Sequence, residues 1–320
     1  MKISYRMIDK QIRLKGMLLT FFKFNNIKKF KMAQWFIDKF MKGKTIKNIN
    51  CKEIFIKKRD DNPLRVCIYK SLTQKEDAVG LLWIHGGGYA IGVPEMDLPY
   101  AKLFIEAANC VVISPDYTLS IKKPYPAALE DCYETLYWIK KNAKELGIKS
   151  NQIFIGGDSA GGGLTAATTL YARDKGEVNI AFQMPLYPMI DDKMNTRSAK
   201  DNNAPVWNSV SNATAWKIYL GNLFGTEKVP KYAAPIRETN YSNLPPAWTF
   251  VGSIEPFFDE TVAYFNHLRE FGVTANISVY DGCYHGFDQF NAKAYVTRKA
   301  RNELIDNFKY AVNNYFAEQP

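Results

Sequence analysis

The chain has 320 residues, 47% apolar and 23% charged, with 20 Gly, 15 Pro and five Cys, a profile that excludes a disordered, fibrous or disulfide-stapled protein. At this length about three quarters of the unfolded surface is expected to be buried, in one large domain with an appendage or in two modest domains. The net charge of +10 suggests nucleic acid only until it is located: residues 1–50 hold 13 Lys and Arg against Asp9 and Asp38, and the other 270 residues carry 29 basic and 30 acidic groups.

In the basic segment apolar residues recur at helical intervals, as in Ile8 and Ile12, then Phe30, Ala33, Trp35, Phe36, Ile37 and Phe40. One or two basic amphipathic helices are expected there, with the apolar stripe packed on the body and the lysines in water, or else drawn to an anionic membrane surface. The stretch Met17 to Phe22 is too short and too Lys-flanked for a signal peptide, and no apolar run reaches the roughly 18 residues that span a bilayer.

After residue 50 short β-rich runs alternate with helical ones. Strands are expected at Glu53–Lys57, Leu64–Lys70, Val79–Ile84, Val111–Ser114, Gln152–Ile155, Ile180–Met184, Ala247–Val251 and Asn276–Tyr280. Helices are expected at Asp97–Ala108, Ala127–Glu145, Gly161–Arg173, Glu260–Phe271 and Tyr295–Phe316. This alternation predicts an α/β fold with a mostly parallel sheet covered on both faces. From Asp191 to Asn243 the rhythm breaks, and this stretch is expected to lie over the sheet as a lid together with the N-terminal helices. The five cysteines are widely spaced with no CxxC, which fits neither a zinc site nor a disulfide framework and points to a reducing cytoplasm.

Two short motifs carry chemistry. Gly157, Asp158, Ser159, Ala160 and Gly161 form a GxSxG sequence between a strand and a helix, the setting of a nucleophile elbow, where small neighbours let the chain turn sharply and project the serine Oγ. His85, Gly86, Gly87 and Gly88 follow a strand directly. Random ordering gives about 0.0007 such tetrads per chain, against about 0.05 for GxSxG, so this signal is the stronger. Acyl transfer develops a negative oxygen, and the amides of Gly87, Gly88 and Ala160 are the expected donors to it. His85 itself reads as a histidine that hydrogen-bonds its own turn.

A serine nucleophile needs a base, and the chain offers His85, His267 and His285. His267 falls mid-helix, which favours a surface or packing role. His285 follows the last strand and is the candidate base. The acid is expected after the strand Ala247–Val251, where Glu255 is nearest the strand end; Asp259 is the reserve, Asp259 and Glu260 otherwise serving the helix N-terminus, and Asp281 reads as a solvated turn residue. The order Ser159, Glu255, His285 matches nucleophile, acid and base in α/β-hydrolases. Tyr89, Tyr187, Trp207, Trp216 and Phe257 are candidate walls of a substrate pocket.

With HGGG, GDSAGG at Gly157–Gly162, the Glu255-containing EPFFDE and HGF, the sequence resembles the hormone-sensitive-lipase-like branch of the α/β-hydrolases, over residues from about 80 to 290. The resemblance implies an α/β-hydrolase fold with an eight-stranded core (residues 51–190 and 244–320), under a helical cap (residues 1–50 and 191–243). It implies a serine carboxylesterase that uses no cofactor. Its partner is then a small-molecule ester, not nucleic acid, with weak contact of the basic N-terminus to an anionic membrane and a homodimer as further expectations. Two features depart from the family: Glu255 stands where Asp is usual, and Tyr117–Lys122 lacks the Arg and Glu of the corresponding family segment, which alters a structural ion pair near the site. A deacetylase or amidase, a membrane-surface lipase and a non-catalytic small-molecule receptor share the same framework.

Overall fold

The computed structural model describes residues 1–20 and 23–320; Phe21 and Phe22, at the end of the apolar stretch noted above, lie outside the described residues. Eight strands, β1 (Ile49–Lys57), β2 (Pro63–Ser71), β3 (Ala78–Ile84), β4 (Cys110–Pro115), β5 (Ile148–Asp158), β6 (Phe182–Leu186), β7 (Ala247–Gly252) and β8 (Ala275–Tyr280), form one sheet in the order β1-β2-β4-β3-β5-β6-β7-β8. β2 runs antiparallel to β1 and β4, and the remaining neighbours are parallel. The helices are α1 (Arg13–Leu19), α2 (Ile27–Phe40), α3 (Leu98–Ala107), α4 (Ala127–Lys141), α5 (Ala143–Leu146), α6 (Ala160–Lys175), α7 (Ser209–Leu220), α8 (Phe258–Glu270), α9 (Phe287–Phe290) and α10 (Tyr295–Asn314).

Alternation along the central strands explains the layers. Leu82 and Ile84 of β3, with Ile153 and Ile155 of β5, point to the side covered by Leu136 of α4 and Leu164 of α6. Leu81 and Trp83, with Phe154, point to the side covered by Phe104 of α3 and Leu304 and Phe308 of α10. Successive side chains face opposite ways in a strand, so a strand buried on both faces is a run of apolar residues, as β3 is throughout and β4 is from Cys110 to Ile113.

Some ends differ from expectation for local reasons. The single helix expected over Ala127–Glu145 is two, because Asn142 leaves helical geometry and its side-chain amide donates to the Trp138 carbonyl at 2.8 Å. β5 begins at Ile148, earlier than expected, since Lys149 to Asn151 are polar residues at the solvated start of the strand.

Part of the N-terminal segment packs on the body as expected, and part does not. Ile8, Ile12 and Phe30 are buried, and Ala33, Gln34 and Ile37 share the inward face of α2 with Phe30. Trp35, Phe36 and Phe40 face solvent instead, because their positions fall on the other side of the helix, so the apolar residues do not form one packed stripe. No helix among the described residues is long and apolar enough to cross a membrane.

Candidate active site

Ser159 sits between β5 and α6 with φ 57° and ψ −117°, a conformation unfavourable for a residue with a Cβ. Three backbone bonds pin it: its amide donates to Leu186 O at 3.0 Å, and its carbonyl accepts from Met189 N and Gly163 N. The flanking small residues have a steric reason. A Cβ at Gly157 or Gly161 would run into the carbonyl of Ile84 at the end of β3, so the turn packs backbone against backbone.

Ser159 Oγ donates to His285 Nε2 at 2.7 Å, and His285 Nδ1–H donates to Glu255 Oε2 at 2.5 Å. The other carboxylate oxygen of Glu255 accepts the Gly252 amide at 2.9 Å. Glu255 is fully buried and His285 nearly so. The loops after β7 and β8 therefore converge on the turn after β5, and the three side chains chosen from the sequence meet in one hydrogen-bonded chain.

The reserve acid Asp259 and the other acids of these loops point elsewhere. Asp259 accepts the Ser198 amide at 2.7 Å, and Asp281 accepts the Ser253 hydroxyl at 2.9 Å. Glu260 does not serve its own helix N-terminus: Oε1 accepts from the amides of Ile190 and Asp191, and burial pushes this carboxyl well above its ordinary range. His267 is half-buried, stacks on Tyr241 and pairs with Glu270. His85 is buried, stacks on Tyr117 and donates from Nδ1 to Gly86 O at 2.8 Å; burial lowers its pKa and favours the neutral ring.

Gly87 and Gly88 have φ of 112° and 60°, the left-handed region that glycine enters without penalty. Their amides, and that of Ala160 at the start of α6, donate to no backbone carbonyl among the described residues. A cavity of about 180 Å³ opens beside them, lined by Ser159, His285, Tyr187, Trp207, Phe24 and Phe290 among others.

Two of the five aromatics expected at the wall, Tyr187 and Trp207, are there. The other three are core: Tyr89 stacks on Tyr219 and donates to Met189 O, Trp216 is fully buried beside it, and Phe257 packs edge-on against the His285 ring without reaching the cavity.

Several wall residues had not been singled out. Asp97, Asp158 and Gln289 lie on the cavity, and Gln289 donates to Asp158 Oδ2 at 2.9 Å. Behind them Asp288 accepts from Tyr100 and Tyr187. Burial first, then the neighbouring Asp158, pushes the Asp97 carboxyl well above its ordinary range, and burial pushes Asp288 up to about 6. Asp158 was visible as the residue before Ser159; Asp97, Asp288 and Gln289 carry no local signal, because only the fold brings them together.

A family profile described as alpha/beta hydrolase fold matches residues 81–289. The chain belongs to the hormone-sensitive-lipase-like esterases of that fold and is a carboxylic ester hydrolase. Among its relatives, Carboxylesterase NlhH of Mycobacterium tuberculosis is 30% identical over 233 residues, 72% of each chain. An arylesterase of Saccharolobus solfataricus is 29% identical over 238 residues, 72% of this chain and 74% of that one. Among solved structures, a bacterial heroin esterase superposes with a TM-score of 0.88 at 29% identity, covering 97% of this chain and 99% of the other.

Proposed function

We propose that Ser159, His285 and Glu255 are the nucleophile, base and acid of a serine carboxylesterase acting on short-chain acyl esters. His285 Nε2 takes the Ser159 proton as Oγ attacks the ester carbonyl, while Glu255 holds the ring and stabilises its charged form. The amides of Gly87, Gly88 and Ala160 receive the oxyanion. As the tetrahedral intermediate collapses, the ester C–O bond breaks and His285 protonates the leaving alcohol. Water, deprotonated by His285, then attacks the acyl-enzyme; as the bond from the acyl carbon to Oγ breaks, His285 returns the proton to Ser159 and the acid leaves.

The observation that carries this reading is the continuous chain from Ser159 Oγ through His285 to Glu255. The preference for short acyl groups is supported by a cavity of about 180 Å³, below the roughly 300 Å³ at which drug-sized pockets begin. Residues 1–50 and 191–243 act as a cap over a catalytic core of residues 51–190 and 244–320, a division supported by the contacts of Phe24 and Phe30 with Trp207. A cytoplasmic setting fits the five unpaired cysteines.

The test is hydrolysis of p-nitrophenyl esters from acetate to palmitate by the wild-type protein and by Ser159→Ala. Turnover is expected to peak at short chains and to be lost in the variant. Turnover that peaks at palmitate, or that survives the substitution, contradicts the proposal.

A further inference from the structure

The outward face of α2 has no role in the proposed reaction, and it carries a cluster of exposed apolar side chains. Met32, Trp35, Phe36 and Phe40 are 58%, 55%, 49% and 54% exposed. Trp35 and Phe36 meet at 4.9 Å between ring centroids, Phe36 and Phe40 at 6.2 Å, and the Lys39 ammonium lies 5.0 Å from the Trp35 ring and 5.4 Å from that of Phe40. The opposite face already packs on the body through Phe30 and Ile37. A surface helix needs only one apolar face, so the second is an exposed patch that marks an interaction site.

Charge says what covers it. Residues 23–47 hold eight lysines against Asp38 alone. Of these only Lys42 has a carboxylate partner among the described residues, Asp116 at 2.9 Å. A second copy docked face to face would set those lysines against their equivalents. An anionic bilayer supplies both needs: an interfacial region that accepts Trp and Phe, and phosphates for lysine.

We propose that α2 docks the enzyme on an anionic membrane surface, with Met32, Trp35, Phe36 and Phe40 in the headgroup region and Lys28, Lys29, Lys31 and Lys39 on lipid phosphates. Its place in the fold gives the contact a use. Phe24, just before α2, lines the cavity, and Gln34 bonds both the amide and the carbonyl of Gly92, in the loop after the glycine tetrad. Docking brings the cavity close to esters dissolved in the bilayer. The inference goes beyond the triad assignment and does not depend on it.

The test is cosedimentation of the full chain with vesicles of phosphatidylcholine, or of an equimolar phosphatidylcholine–phosphatidylglycerol mixture, at low and high salt. Two variants accompany it, Trp35→Ser/Phe36→Ser/Phe40→Ser and Lys28→Glu/Lys29→Glu/Lys39→Glu. Binding to anionic vesicles is expected to exceed binding to neutral ones by about tenfold or more, and to fall at high salt and in either variant. Both variants should hydrolyse a water-soluble short ester at the wild-type rate, which shows that they fold. Equal binding to both vesicles, no binding to anionic ones, or a dimer in sedimentation velocity that the serine variant dissociates would overturn the proposal. Loss of soluble-ester hydrolysis in the wild type would count against the esterase reading alone.

Discussion

Glu255 divides its carboxylate between His285 Nδ1 and the Gly252 amide, so each oxygen has one assigned partner. Glu255→Gln puts an amide there and favours the wrong ring tautomer; a loss of about 10²- to 10⁴-fold in kcat is expected, with thermal stability little changed. Glu255→Asp keeps the charge but shortens the arm by one methylene, and its kcat should fall less than that of the glutamine variant. Asp288 is a second residue with a measurable signature. Burial pushes its carboxyl up to about 6 from an ordinary 3.8, so between those values the folded state binds more protons than the unfolded one. This group's destabilising effect is absent below about pH 4, grows as pH rises and is complete above about pH 6. Asp288→Asn should therefore raise stability near neutral pH, by at most about 3 kcal/mol, and the gain should vanish when melting is followed down to pH 4. A gain that does not change with pH would refute this account of Asp288.

At the scale of elements, the turn from β5 into α6 depends on close backbone contact with the end of β3. Gly161→Ala drives a Cβ into the carbonyls of Ile84 and His85. A loss of about 3 kcal/mol in urea unfolding is expected, with reduced activity as Ser159 shifts. This element was legible in the sequence because its requirement is local: small residues around one serine, between a strand and a helix. Which aromatics line the cavity was not legible. Tyr187 and Trp207 reach it while Tyr89, Trp216 and Phe257 are core, and a buried ring has the same sequence chemistry in either place. The same limit applied to α2, where spacing identified a helix but not which of its apolar residues face the body.

Across the whole molecule, contacts distant in sequence hold the site face together. Arg65 on β2 is nearly buried and reaches Glu53 on β1 at 2.7 Å, Asp116 after β4 at 3.2 Å and Glu95 in the short 3-10 helix just before α3. Arg65→Met leaves these carboxylates without their shared cation, and a loss of about 3 to 5 kcal/mol is expected in denaturant unfolding. No spacing in the sequence announced this cluster. By contrast, inner parallel strands such as β3 were visible because buried parallel strands are continuous apolar runs. The division into a basic N-terminal segment and a nearly neutral remainder needed only counting. The central claim, that Ser159 is the acylated nucleophile, is tested most directly by intact-mass and peptide spectrometry after reaction with a fluorophosphonate ester. One adduct per chain, on Ser159, with parallel loss of esterase activity and no adduct in Ser159→Ala, is the predicted result. An adduct on another residue, or an unmodified Ser159 in a fully inhibited protein, would contradict it.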